Sequence, residues 1–159
     1  MKALLKSFGY AFAGIFRTLR SERNMRIHLV VCAYMYGYLL VYDFFKVSRT
    51  GFAILFLANA LVMMGEMINT ALENVVDLVE QRKNEFCKVA KDAAAGAVLI
   101  GAIFSVLVGI ALLYQPQAFR ELFAYYRDRP VWLVVLAASL AASMLFIFRF
   151  GKKGKGTES

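Results

Sequence analysis

The chain is poor in the residues that build scaffolds and metal centres. Its 159 residues include two cysteines, two prolines, one histidine and one tryptophan. Two cysteines exclude a disulfide framework. A lone His28 without a Cys/His cluster gives a zinc site nothing to be built from. Charge is scarce too, at 19% of residues against about 25% in soluble domains. The scarcity falls on the acids: 11 Asp and Glu face 19 Lys and Arg, for a net charge of +8. Nucleotide-loop signatures are also missing. Gly151 to Thr157 reads GKKGKGT, without the P-loop lysine or a preceding strand. What is abundant is apolar surface, 60% of residues at a mean hydropathy of +0.59. A soluble fold of this size cannot hide that surplus, and the same composition excludes a disordered or collagen-like chain.

The apolar residues are gathered into membrane-length blocks. Thr50 to Gly65, Ala93 to Tyr114 and Pro130 to Phe148 carry no charged side chain, and Ile27 to Tyr42 carries none apart from His28 at its edge. A crossing helix needs about 20 apolar residues, and helices satisfy their own amides in lipid. The pattern predicts an all-α membrane protein with spans at 27–46, 50–72, 93–114 and 130–149. Lys and Arg concentrate before the first span, between the second and third, and after the fourth. By the positive-inside rule both termini are then cytoplasmic. Leu4, Leu5, Phe8, Phe12, Ile15, Phe16 and Leu19 recur at helical spacing opposite Lys6, Arg17 and Arg20. That predicts an amphipathic surface helix over 2–20 on the inner leaflet. Ala93, Ala97, Gly101, Ser105 and Gly109 form a close-packing stripe, within one chain or between chains. Residues 115–129 are expected as an external loop and 150–159 as a basic cytoplasmic tail.

The informative residues are those ill suited to lipid. Glu66 lies inside the second span, followed on one helix face by Asn69, Thr70, Glu73 and Asp77. An acid near a span centre costs about 2.5–3.5 kcal/mol on insertion scales and marks function by default. The topology delivers Glu22, Lys91 and Asp92 to the same cytoplasmic end. Carboxylates suit a hard cation such as Mg2+, and a lysine suits phosphate charge. A carboxylate in a drier place can take a proton from a hydroxyl. Placed at headgroup level and facing cytosolic ATP, this set points to phosphoryl transfer onto a lipid alcohol. The alternative is a non-enzymatic membrane protein, such as a proton-coupled transporter subunit with Glu66 as a relay. Glu22, Lys91 and Asp92 speak against it, since a relay needs no metal or phosphate ligands.

Three segments carry a resemblance: Ser-Glu-Arg-Asn-Met-Arg-Ile-His at 21–28, Gly-Glu-Met-Ile-Asn-Thr-Ala-Leu-Glu-Asn-Val-Val-Asp at 65–77, and Ala-Lys-Asp-Ala-Ala-Ala-Gly-Ala-Val-Leu at 90–99. In order and spacing they resemble the small prokaryotic integral-membrane lipid kinases, diacylglycerol kinase and its undecaprenol kinase relatives, from about Lys6 to Tyr114. The resemblance implies a lipid kinase domain over 1–114, a surface helix with a three-helix transmembrane core. It implies a homotrimer in the bacterial inner membrane, with sites shared between neighbouring chains, and no nucleic-acid partner is needed to account for the basic charge. It implies Glu66 as the catalytic base, Glu66, Asn69 and Arg26 at the lipid alcohol, and Glu22 and Glu73 as ligands of the Mg2+ that accompanies ATP. Tyr10, Glu22, Glu73, Asp77, Arg82, Lys83, Asn84, Lys91 and Asp92 would surround the nucleotide. The motifs are closer to the Gram-positive branch, where undecaprenol is the preferred alcohol, and His28 stands where the other branch has an acid. The chain departs from the family in the extra C-terminal helix at 130–149, expected to anchor or pack.

Overall fold

A computed structural model describes residues 1–80 and 84–149, all helical in their regular structure. Helix α1 runs Lys2–Ser21, α2 Arg23–Val41, α3 Arg49–Val79, α4 Glu85–Leu113, α5 Pro116–Asp128 and α6 Pro130–Arg149. Local chemistry sets the boundaries. Glu22 is extended, which breaks the chain between α1 and α2. Ser48 caps α3 by accepting from the Gly51 amide at 3.0 Å, and Asn84 caps α4 by accepting from the Phe86 amide at 2.9 Å. Proline opens α5 and α6, where its missing N–H costs nothing.

Among the described residues, α3, α4 and α6 are long and apolar enough to cross a membrane. Helix α2 is not among them. It stops at Val41, where Tyr42 turns extended, instead of continuing to residue 46, and Arg23, Asn24, Arg26 and His28 in its first turns dilute its apolar character. Helices α3 and α4 overrun their expected spans where they face each other in sequence, α3 reaching Val79 and α4 starting at Glu85. The segment expected as an external loop is helical. In α5, Phe119, Leu122, Tyr125 and Tyr126 recur at helical spacing.

Burial runs opposite to that of a water-soluble protein. Large apolar side chains are exposed along every helix, while Thr18, Arg26, Glu66 and Thr70 are buried. Helices α3 and α4 form a close hairpin. A Cβ on Gly65 would meet Val98 at 3.5 Å, and one on Gly101 would meet Val62 at 3.9 Å. The small-residue stripe on α4 therefore serves packing within the chain at Gly101, while Gly109 has open space beside it. Asn59 ties three helices together, donating to the Tyr36 hydroxyl at 2.8 Å and accepting from Ser105 at 3.3 Å.

Helix α6 lies along α2, fastened by Tyr34 donating to Ser139 at 2.8 Å and by Arg26 donating to the Ile147 carbonyl at 3.0 Å. The Tyr38 and Tyr126 hydroxyls bond to each other between α2 and α5. Burial, reinforced by that bond, pushes Tyr126 up to about 12 from an ordinary 10.0.

Candidate active site

Two cavities lie near the start of α2 and the second half of α3. The first, of about 300 Å³, has polar walls of Asn24 and His28 from α2 and Glu66 and Asn69 from α3. Helix α4 closes it with Ala95, Val98, Leu99 and Ala102. Glu66 is 3% exposed. Its carboxylate oxygen Oε1 lies 3.6 Å from His28 Nε2, and its carbonyl accepts from the Thr70 hydroxyl at 2.9 Å. A polar group held this deep needs a polar neighbour, and here the imidazole of the adjacent helix is one.

The second cavity, of about 370 Å³, lies between α1 and α3. Glu22, Glu73 and Asp77 line it, with Arg17, Ser21 and Asn74 beside them. Glu22 reaches it because the chain break after α1 sets it at the cap of α2. Glu73 and Asp77 reach it because they follow Glu66 at helical spacings of seven and eleven. Asn69 joins the two cavities: it lines the first and donates from Nδ2 to Glu73 Oε1 at 3.1 Å in the second. Its Oδ1 is buried without a hydrogen-bond partner among the described residues, so a donor brought there would satisfy it.

No group of three or more His, Cys, Asp or Glu poised as a metal cage occurs among the described residues. The donor set nevertheless fits Mg2+, which is ordinarily held by one or two carboxylates together with substrate phosphates and water. Glu22 and Glu73 are hard oxygen donors on one cavity, and they would be the pair to hold it.

The remaining expected residues fall into three groups. Lys91 pairs with Asp77 across the α3–α4 hairpin, with Asp92 exposed next to it on α4. Tyr10 is exposed on α1, one turn before Gly14 in the second cavity and under the Lys6 ammonium at 5.8 Å. Asn84 caps α4, while Arg82 and Lys83 lie outside the described residues, as does the 150–159 tail. Arg26 is not brought to the Glu66 cavity. It is 1% exposed and donates to the carbonyls of Leu19 at 3.1 Å, Arg20 at 2.9 Å and Ile147 at 3.0 Å. Its charge caps the negative end of α1. The residues that sequence reasoning left without a role are Asn24 and His28, both on the cavity wall. Their spacing of four on one helix was the available signal.

Comparison with known proteins bears on the same segment. The sequence model of the family described as prokaryotic diacylglycerol kinase matches residues 9–113. A diacylglycerol kinase of Synechocystis sp. is 44% identical over 71% of the chain, and the match spans 63% of that relative, less than two thirds of its length. An undecaprenol kinase of Bacillus subtilis is 36% identical over 74% of the chain and 92% of its own length. A diacylglycerol kinase of Escherichia coli is 29% identical over 70% and 89%. No solved structure matches the chain significantly.

Proposed function

The chain belongs to the prokaryotic diacylglycerol kinase family, and from that premise we propose that it transfers the γ-phosphoryl group of ATP to a membrane lipid alcohol. One arrangement carries the reading. A buried carboxylate, Glu66, faces a cavity whose Asn69 reaches into a second cavity lined by Glu22 and Glu73. Acceptor chemistry and phosphate chemistry are thereby set side by side. A proton relay through Glu66 alone leaves that second cavity unexplained.

In this reading Glu66 takes the proton from the lipid hydroxyl. The alcohol oxygen bonds to the γ-phosphorus as the bond to the β,γ-bridging oxygen breaks, and ADP departs with that oxygen. Asn69, which lines the acceptor cavity and donates to Glu73, links the acceptor side of the site to the phosphate side. Glu22 and Glu73 would hold Mg2+, which would supply positive charge to the phosphate oxygens. Tyr10, Asp77, Lys91 and Asp92 surround the nucleotide, with Arg82, Lys83 and Asn84 contributed by the α3–α4 connection. Arg26 serves the acceptor indirectly, by fixing the end of α1.

The apolar exposure of α3, α4 and α6 supports a multi-pass protein of the bacterial inner membrane. With α2 as a further crossing, the placement of Lys and Arg puts both termini in the cytoplasm and α1 on the inner leaflet. Exposed apolar faces on α3 and α4 leave room for neighbouring chains of a homotrimer. Undecaprenol is the acceptor we favour, supported by the motif at 21–28 and the Bacillus relative's name. Diacylglycerol is the second reading, favoured by the greater identity to the Synechocystis relative.

The test gives the purified protein γ-labelled ATP, Mg2+ and each alcohol in mixed micelles. Label is expected in the lipid fraction, faster with undecaprenol. Transfer to diacylglycerol alone selects the second reading, and transfer to neither overturns the kinase.

A further inference from the structure

The Glu66 cavity contains two titratable side chains, and they face each other. Its α2 wall offers Asn24, Ile27 and His28, its α3 wall Glu66 and Asn69, and its α4 wall only apolar side chains. Neither α1 nor α6 lines it. Two charged groups at the start of α2 are turned elsewhere: Glu22 lines the second cavity, and Arg26 donates to the backbone carbonyls of α1 and α6. Among the described residues lining the cavity, His28 Nε2 has one acidic neighbour, Glu66 Oε1 at 3.6 Å. Both groups are shielded, the imidazole partly and the carboxylate almost fully.

We propose that His28 is a positioning residue for Glu66. Its ring Nε2, 3.6 Å from Oε1 and in polar contact just beyond hydrogen-bond length, draws that oxygen toward α2, so that the other is presented to the acceptor hydroxyl. The proposal rests on the kinase reading for its consequence, and on the geometry alone for the pairing. A general base works only when its lone pair is aimed at the proton it removes. Glu66 sits on a helix with Thr70 bonded to its own carbonyl rather than to its carboxylate, so the aim must come from another element. Helix α2 supplies it. The substrate's entry then need not organise the base, because the base is organised beforehand.

Two measurements test this. The chain has a single histidine, so the imidazole nitrogens of the detergent-solubilised protein give one assignable pair of NMR resonances. Glu66→Gln is expected to move the Nε2 resonance more than Nδ1, without any need for activity. Coincident wild-type and variant spectra overturn the pairing. In the transfer assay, His28→Ala is expected to lower kcat about tenfold, to leave KM for ATP nearly unchanged, and to displace the acid limb of the kcat–pH profile. His28→Gln, which keeps an N–H donor and guards against a folding defect, is expected to recover most of the rate. Unchanged kcat and pH profile in His28→Ala overturn the positioning role. A wild-type protein that transfers nothing while its Nε2 still responds to Glu66→Gln refutes the kinase reading and leaves the pairing standing.

Discussion

Arg26 donates from Nε to the carbonyl of Ile147 at 3.0 Å, so a side chain of the family motif is fastened to a helix beyond the matched region. The same guanidinium holds the carbonyls of Leu19 and Arg20 at the end of α1. Three elements converge on one buried cation: α6 supplies one of the three carbonyls that hold Arg26, while Nη2 has no partner among the described residues.

Arg26→Met is therefore expected to cost about 3 kcal/mol, since charge-assisted bonds are lost and buried carbonyls are left unpaired. Arg26→Lys should fall between, because an ammonium cannot reproduce the planar fork. Denaturant midpoints in a fixed detergent measure both. Equal midpoints for wild type and Arg26→Met would remove the structural role.

Glu66→Gln keeps the size of the side chain but cannot accept the hydroxyl proton as a base. Phosphoryl transfer is expected to fall by about 10²–10⁴, with ATP binding and the unfolding midpoint kept. Steady-state rates with isothermal titration of ATP separate the two. Near-normal turnover would exclude Glu66 as the base.

Much of this site could be read in one dimension. The offsets from Glu66 to Asn69, Glu73 and Asp77 fix a shared face whatever the neighbours do, and the Asn69–Glu73 bond follows from a spacing of four. The rotation of one helix against another is not contained in such periodicity. His28 could not be aimed at Glu66 from spacing, nor Arg26 away from it. Both depend on how α2 is turned against α1, α3 and α6. Helix α5 was missed because it is too short and polar to register as a span, although Pro116 and its apolar spacing announce a helix. The early end of α2 follows from the aromatic turn, where Tyr42 and Phe44 stack at 5.2 Å and Gln115 accepts from the Lys46 amide at 3.0 Å.

The pair on the second cavity predicts a metal phenotype. Glu22→Gln and Glu73→Gln are each expected to raise the Mg2+ concentration for half-maximal rate about tenfold or more, with saturating Mg2+ restoring part of the activity. Rates titrated with Mg2+ at fixed free ATP give the answer. An unchanged metal requirement in both variants would rule out the ligand role.

Lys91 and Asp77 pair at a solvated surface, where an ion pair adds little to stability. Lys91→Ala should leave the unfolding midpoint almost unmoved and raise KM for ATP severalfold. A large loss of stability with KM unchanged would make the pair structural.

Asn59 bears on the packing of the hairpin, away from the chemistry. It lies seven residues before Glu66 on α3, about 10 Å along the axis. Its amide donates to Tyr36 on α2, and its carbonyl oxygen accepts from Ser105 on α4. Such interhelical bonds in lipid average about 0.6 kcal/mol and reach about 1.7, because alternative partners exist when the helices separate. Asn59→Ala is expected to lose about 1 kcal/mol and Ser105→Ala less, with the double variant losing less than the sum of the two. Turnover per folded molecule should stay unchanged in all three. Strict additivity would mean that the Asn59–Ser105 contact contributes nothing. A fall in kcat matching the loss of stability would mean that the hairpin's polar centre also sets the depth of Glu66.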